Sequence, residues 1–295
     1  MEACKICGSR EYKVAYEGPI RVGKFGNLSG VSYTIKQCLS CMAASLPNLI
    51  ENHKAYYESP SYRDEVDGVV TDAAYFSLHD GEQLRHLEIT GTAVFRDKVV
   101  ADIGCGAGSF LDAVSGHARE SFGVEPSALF RSSLHKRGYL SYPYVADALP
   151  EKANKVDVVV CFSVLEHIED PLSFLRETLK LLSPGGKIIL STPNADDILL
   201  SILPGLYPQF FYRKAHLWYF NRSSLQKILE LAGYSKIKII PCHRFGLSNF
   251  LLWLRDRTPN GNARLESITA ILDAVWKCEL ERTNKCDYFY VEAYR

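Results

Sequence analysis

The sequence predicts an α/β protein: a doubly wound, mostly parallel sheet preceded by a small, cysteine-bearing N-terminal module. Three observations lead there. Four of the nine cysteines fall as Cys4-x-x-Cys7 and Cys38-x-x-Cys41. From Lys98 onward, short apolar runs alternate with amphipathic helical stretches, the βαβ alternation of a parallel sheet. The 295 residues suffice for one large domain or two unequal ones.

Charge and composition narrow the function. Lys+Arg and Asp+Glu both number 34, a formal net charge of zero, so the basic footprint of a nucleic-acid binder is missing and no nucleic-acid partner is expected. With 47% hydrophobic and 23% charged residues, the chain lies far from the disordered class. No apolar run approaches the ~18 residues of a membrane span, and the start lacks the features of a signal peptide. A cytoplasmic location and reduced thiols are the expectation.

In chain order, the cysteines come first. A Cys-x-x-Cys turn brings two thiolates to one tetrahedral ion at ~2.3 Å, and a second such turn completes a four-sulfur site. Cys4, Cys7, Cys38 and Cys41 are therefore expected to hold a structural zinc ion in a zinc-ribbon-like module over residues 1–50. Four thiolates leave no open position for chemistry, and no thioredoxin-like pattern supports a redox pair. The segments Glu11–Glu17 and Val31–Gln37 read as strands between the two turns. Residues 51–97 read as a helical lead-in covering the mouth of the main domain, assigned to residues 98–295.

Seven strands are expected in that domain: Val99–Ile103, Ser121–Val124, Tyr139–Val145, Val156–Phe162, Lys187–Ser191, Lys236–Pro241 and an edge strand Asp287–Tyr294. Helices are expected at Ser109–Ser115, Ser223–Ala232 and within Arg264–Leu280. Another follows Val156–Phe162, with Asp170 as N-cap, Pro171 at the first helical position and Pro184-Gly185-Gly186 as its stop. The turn Gly104-Cys105-Gly106-Ala107-Gly108 has neither the G-x-G-x-x-G register of a dinucleotide fold nor the lysine of a P-loop. It does have Asp102 two residues before its first glycine.

Asp102-Ile103-Gly104-Cys105-Gly106-Ala107-Gly108 resembles the first motif of class I S-adenosylmethionine-dependent methyltransferases. Gly123-Val124-Glu125-Pro126 resembles the acidic end of their second strand, and Val145-Ala146-Asp147-Ala148 their adenine-binding turn. Val156 to Pro171 resembles the fourth-strand motif, and Leu182 to Lys187 the turn before the fifth strand. The resemblance implies a Rossmann-like methyltransferase fold and S-adenosylmethionine as cofactor. Gly104 and Gly106 would let backbone approach the methionyl part, with Asp102 orienting that end. It further implies Glu125 on the ribose hydroxyls, Asp147 and the Ala148 N–H on adenine, and the Phe162 carbonyl on the amino group.

Two histidines are expected as base or acceptor contact, His216 first and His167 second. The connection Pro193–Ala215 is long and aromatic, with Tyr207, Phe210, Phe211 and Tyr212, and reads as a lid whose rings pack on the acceptor. A four-cysteine module fused to this core resembles methyltransferases of sugars, nucleotide-sugars or glycans, so O-methylation of a sugar-containing small molecule is the first expectation. The alternatives are O-methylation of a quinone-like or other apolar small molecule, or a cofactor-binding, non-catalytic partner protein. Homo-oligomeric assembly is compatible with the sequence.

Overall fold

The spacer between the cysteine pairs folds as an antiparallel hairpin of Tyr12–Gly18 (β1) and Tyr33–Cys38 (β2). The structure, a computed structural model, describes residues 3–295 apart from 25, 47–51, 60, 61, 63, 64, 66, 67, 69, 70 and 262. A two-residue strand, Ala44–Ser45 (β3), continues the sheet. Its far edge is taken by Trp218–Tyr219 (β9), which completes a four-stranded sheet in the order β1-β2-β3-β9.

Among the described residues, the α-helices His53–Glu58 (α1) and Asp72–Thr90 (α2) precede the main sheet. Part of the expected lead-in, within 60–70, lies outside the described residues. The main sheet has seven strands in the order β10-β11-β8-β7-β4-β5-β6. They are Val99–Ile103 (β4), Glu120–Val124 (β5), Leu140–Tyr142 (β6), Val156–Phe162 (β7), Leu182–Pro193 (β8), Ser235–Cys242 (β10) and Tyr288–Tyr294 (β11). Pairing is parallel from β6 to β8, and β11 runs antiparallel between β8 and β10. Every residue of β4 is buried, the pattern of a central strand covered on both faces. The chain winds outward from β4 in both directions, so the crevice beyond its carboxyl end is where such sheets take ligands.

Ser109–Ser115 (α3), Ala128–Lys136 (α4), Val145–Lys152 (α5), Pro171–Leu181 (α6) and Arg222–Ala232 (α9) cover the sheet. Ile198–Ile202 (α7) and Tyr207–Phe211 (α8) interrupt the connection from β8 to β9. Leu247–Asp256 (α10) and Ala270–Arg282 (α11) lie between β10 and β11. Asp170 caps α6 as expected, its carboxylate accepting the Ser173 N–H at 3.0 Å, with Pro171 opening the helix.

The boundaries of β6, α6 and β8 differ from expectation, β8 opening at Leu182 rather than Lys187. β6 ends at Tyr142, before Pro143, which has no N–H for a ladder, and Val145 already begins α5. α6 stops at Leu181, ahead of the Pro-Gly-Gly turn. Val156 then pairs with Leu182 and Val158 with Lys187, so the intervening residues bulge from an otherwise regular strand. Helix α10 was not anticipated.

The N-terminal segment shares its core with the rest of the chain. Cys4, Ile6, Cys38 and Cys41 belong to the apolar cluster that includes Leu217, Trp218 and Phe220. Ile20, Ile35 and Leu46 pack with Leu199, Tyr207, Phe211 and Tyr212. The aromatics of the expected lid thus pack beneath the N-terminal sheet; of that connection, Pro193 and Arg213 reach the cavity described next.

Candidate active site

The turn from β4 into α3 needs glycine for a steric reason. Gly106 has φ +54°, and a Cβ there would run into the Tyr75 ring on α2. The turn therefore lies close under α2 and opens onto a cavity of about 890 Å³ at the carboxyl ends of β4, β5 and β7. Asp102, Gly104, Glu125 and Phe162 are in its wall.

Glu125 directly follows β5, and its buried carboxylate accepts the Gly106 N–H at 2.9 Å and the Ser127 N–H at 2.8 Å. It ties the glycine turn to the next strand while facing the cavity. Asp102 is 4% exposed and has no hydrogen bond to any described residue. Burial, with the Glu125 carboxylate nearby, pushes its pKa up to about 8. A wall with two buried acids, one of them without a hydrogen-bond partner, fits a ligand that brings hydroxyl donors and positive charge. S-adenosylmethionine has both, on its ribose and on its ammonium and sulfonium groups.

Asp147 and Ala148 lie outside the wall. The Asp147 carboxylate turns back to accept the Tyr144 N–H at 3.2 Å, and Ala148 is buried in α5. Tyr144 and Val145 face the cavity in their place. From α2, His86 stacks on Phe162 with ring centroids 3.9 Å apart, and its Nδ1 lies 2.9 Å from the Tyr290 hydroxyl. Burial lowers its pKa to about 4, so it is a neutral ring over the end of β7.

The cavity wall also holds Tyr57, Tyr62, His167, Arg213, Arg244 and Tyr288. His167 Nδ1 donates to the Ala215 carbonyl at 2.8 Å, and the Tyr57 hydroxyl meets the same carbonyl at 3.2 Å. With the proton fixed on Nδ1, the basic lone pair of the neutral ring is on Nε2. His216 stands differently from expectation: it is 2% exposed and outside the wall, and its Nε2 accepts the Arg213 Nε–H at 2.8 Å. Burial and the Arg213 charge hold its pKa well below the usual histidine range. A lone pair already bonded to a guanidinium does not take a substrate proton, so His216 orients Arg213.

Glu166, His167 and His216 place ligand atoms within 4.8 Å of one another. Arg213 is bonded to His216 and the Ala215 carbonyl to His167, so each histidine already has a partner within the protein. Burial raises the Glu166 pKa to about 7. One Glu166 oxygen accepts from Thr192 at 3.1 Å. Sequence reasoning missed His86, Arg244 and Tyr288, since none falls in a motif and each reaches the cavity only through the tertiary fold.

The four N-terminal cysteines do converge. Cys4 and Cys41 sulfurs are 3.7 Å apart and those of Cys7 and Cys38 3.6 Å, with all four within 4.8 Å. A tetrahedral zinc ion with ~2.3 Å bonds requires sulfurs about 3.8 Å apart, so the set fits one such ion. Each Cys-x-x-Cys turn is closed by a residue in the left-handed region, Gly8 at φ +76° and Met42 at φ +64°. Their N–H groups reach back to the Cys4 and Cys38 carbonyls at 2.8 and 3.0 Å.

A family profile described as a methyltransferase domain matches residues 83–239, more than half the chain. The ubiquinone biosynthesis O-methyltransferase of Pseudomonas fluorescens (strain SBW25) is 32% identical over 182 residues, covering 55% of this chain and 78% of that protein. The protein of that name from Pseudomonas aeruginosa (strain LESB58) is 28% identical over 185 residues, with the same coverage. Among solved structures, a methyltransferase from Archaeoglobus fulgidus aligns at TM-score 0.52 and 17% identity, over 80% of this chain and 98% of that one. A methyltransferase from Thermotoga maritima aligns at 0.51 and 20%, over 75% and 93%. The chain belongs to the methyltransferase domain family and is a class I S-adenosylmethionine-dependent methyltransferase.

Proposed function

We propose that the enzyme methylates a hydroxyl oxygen of a hydroxylated, quinone-precursor-like aromatic molecule. The observation that carries this is the similarity to ubiquinone biosynthesis O-methyltransferases over 78% of their length. The tyrosines of the cavity wall, Tyr57, Tyr62 and Tyr288, suit an aromatic ring, whereas these relatives lend no support to a sugar acceptor. S-adenosylmethionine, when bound, supplies an activated methyl group on a sulfonium leaving group.

The chain's own residues then have separable tasks. Glu125 takes the ribose hydroxyls, and Asp102 the cationic end of the cofactor. Gly104 and the Phe162 carbonyl border the methionyl part, with Tyr144 and Val145 on the adenine side. His167 receives the proton of the acceptor hydroxyl on Nε2, its ring held by the Ala215 carbonyl. Among the described residues no helix is long and apolar enough to cross a membrane.

The test is S-adenosylhomocysteine formation against substituted catechols and, in parallel, nucleotide-sugars. Turnover of catechols with sugars inert is the expected result. Turnover confined to the sugars would overturn the reading.

A further inference from the structure

Arg213 and Arg244 reach the cavity from separate segments of the chain, and each guanidinium is hydrogen-bonded through its Nε. Arg244 follows β10; its N–H and its Nε donate to the two oxygens of Asp287 at 2.9 and 2.6 Å. Against the cost of burial, Arg244 and His243 hold Asp287 well below the usual carboxylate range, so the anchor is anionic. The guanidinium lies 4.0 Å over the Tyr288 ring. Arg213 is fixed by the neutral His216 at 2.8 Å, and its N–H donates to the Tyr219 hydroxyl at 2.9 Å. Neither arginine has a hydrogen-bond partner for its terminal amino groups among the described residues. Both side chains line the cavity. They also share surroundings, since both charges act on Glu166 and on Tyr288.

Arg244 is balanced by Asp287, whereas Arg213 is held by a neutral imidazole and has no ion-pair partner among the described residues, so the second guanidinium at this cavity favours an incoming negative group. The nearby acids leave that need standing in part: Asp287 is already engaged with Arg244, Glu82 lies 3.1 Å from His79, and burial holds the Glu166 pKa up to about 7, so its counter-charge near neutral pH is partial. Arginine in particular is suited to oxyanions, because its paired N–H groups match the oxygen spacing of carboxylate and phosphate.

We propose that Arg213 and Arg244 form an oxyanion clamp, so that the methyl acceptor carries a carboxylate or phosphate beside the hydroxyl that is methylated. The clamp rests on reading this part of the cavity as the acceptor site. In this role both arginines set specificity and position, and His216 acts through Arg213.

The experiment has two arms. In the first, benzoate and inorganic phosphate are titrated by calorimetry into protein saturated with S-adenosylhomocysteine. The expected result is saturable binding of at least one anion, weakened at least tenfold in Arg213→Met and in Arg244→Lys; the tighter anion identifies the source. No saturable binding, or equal binding by wild type and variants, overturns the clamp. Affinity for S-adenosylhomocysteine within about threefold of wild type certifies each variant as folded, and Arg213→Met decides if Arg244→Lys fails that check. In the second arm, kcat/KM for 3,4-dihydroxybenzoate is compared with that for its methyl ester. The acid should lead by at least tenfold, and the ratio should collapse toward one in the variants; an acid and ester turned over equally by wild type count against the clamp. If neither catechol is methylated, the proposed acceptor class fails while the anion titration still judges the clamp.

Discussion

Asp102 and Glu125 share one wall of the cavity, and ionising both sets two buried anions near each other. Burial and Glu125 place the Asp102 pKa at about 8, so near pH 7 the cofactor-free protein keeps a proton there. A cationic ligand favours the ionised form and lowers that pKa, so binding releases the proton and affinity rises with pH up to about 8. Calorimetry of S-adenosylmethionine binding in phosphate and in Tris should therefore give different enthalpies for wild type and matching ones for Asp102→Asn. Matching wild-type enthalpies would show the acid already ionised. Glu125 has a double burden, since its oxygens also hold the Gly106 and Ser127 N–H groups. Glu125→Ala should cost at least a hundredfold in cofactor affinity, and Glu125→Gln, which keeps one acceptor, distinctly less. His167→Ala should lower kcat by roughly 10²–10⁴-fold, the usual weight of a general base, with S-adenosylhomocysteine affinity retained; an unchanged kcat removes the base assignment.

At the scale of elements, the strand–turn–helix from Val99 to Ser115 does most to build the cofactor end, and it was legible because each step has a local cause. The apolar run of β4 demands burial on both faces, and the glycines after it permit a turn other residues resist. Gly106→Ala tests this: with φ +54° and Tyr75 overhead, the substitution should lower cofactor affinity at least tenfold by calorimetry. Affinity equal to wild type would mean that α2 gives way easily. The Asp170 cap and the paired cysteines were legible for the same reason, since a cap and a metal turn are written in residues a few places apart. The acceptor end was legible only in part, at His167. Arg244 owes its position to Asp287, Arg213 to His216, and His86 to Phe162 and Tyr290. Most of these partners lie far apart in sequence, where no spacing rule links them. His216 misled because its segment resembles one seen in small-molecule methyltransferases, while its ring is buried against His167 and Tyr219 and bonded to Arg213.

Packing gives the whole molecule a division of labour. The N-terminal sheet grips the segment that carries Arg213, Ala215 and His216 through three links. Ala44 and Ser45 pair with Tyr219 and Trp218, Leu46 N–H donates to the Leu217 carbonyl at 2.9 Å, and Arg21 exchanges backbone hydrogen bonds with Tyr212 and Lys214 at 2.9 and 3.0 Å. The cofactor end rests instead on β4, β5 and α2. A metal that orders the hairpin would therefore be felt first at the acceptor end, because binding energy at such a site is folding energy for its surroundings. Metal analysis should find one zinc ion per chain. Its removal by a chelator, or Cys38→Ser, should raise the acceptor KM at least tenfold while S-adenosylhomocysteine affinity stays within about threefold. Loss of both affinities together would mean that the two halves of the cavity fold as one cooperative unit. Unchanged kinetics after complete metal loss would mean that the hairpin holds the segment through its apolar core alone, with Ile20, Ile35 and Leu46 packed on Tyr212 and Tyr219.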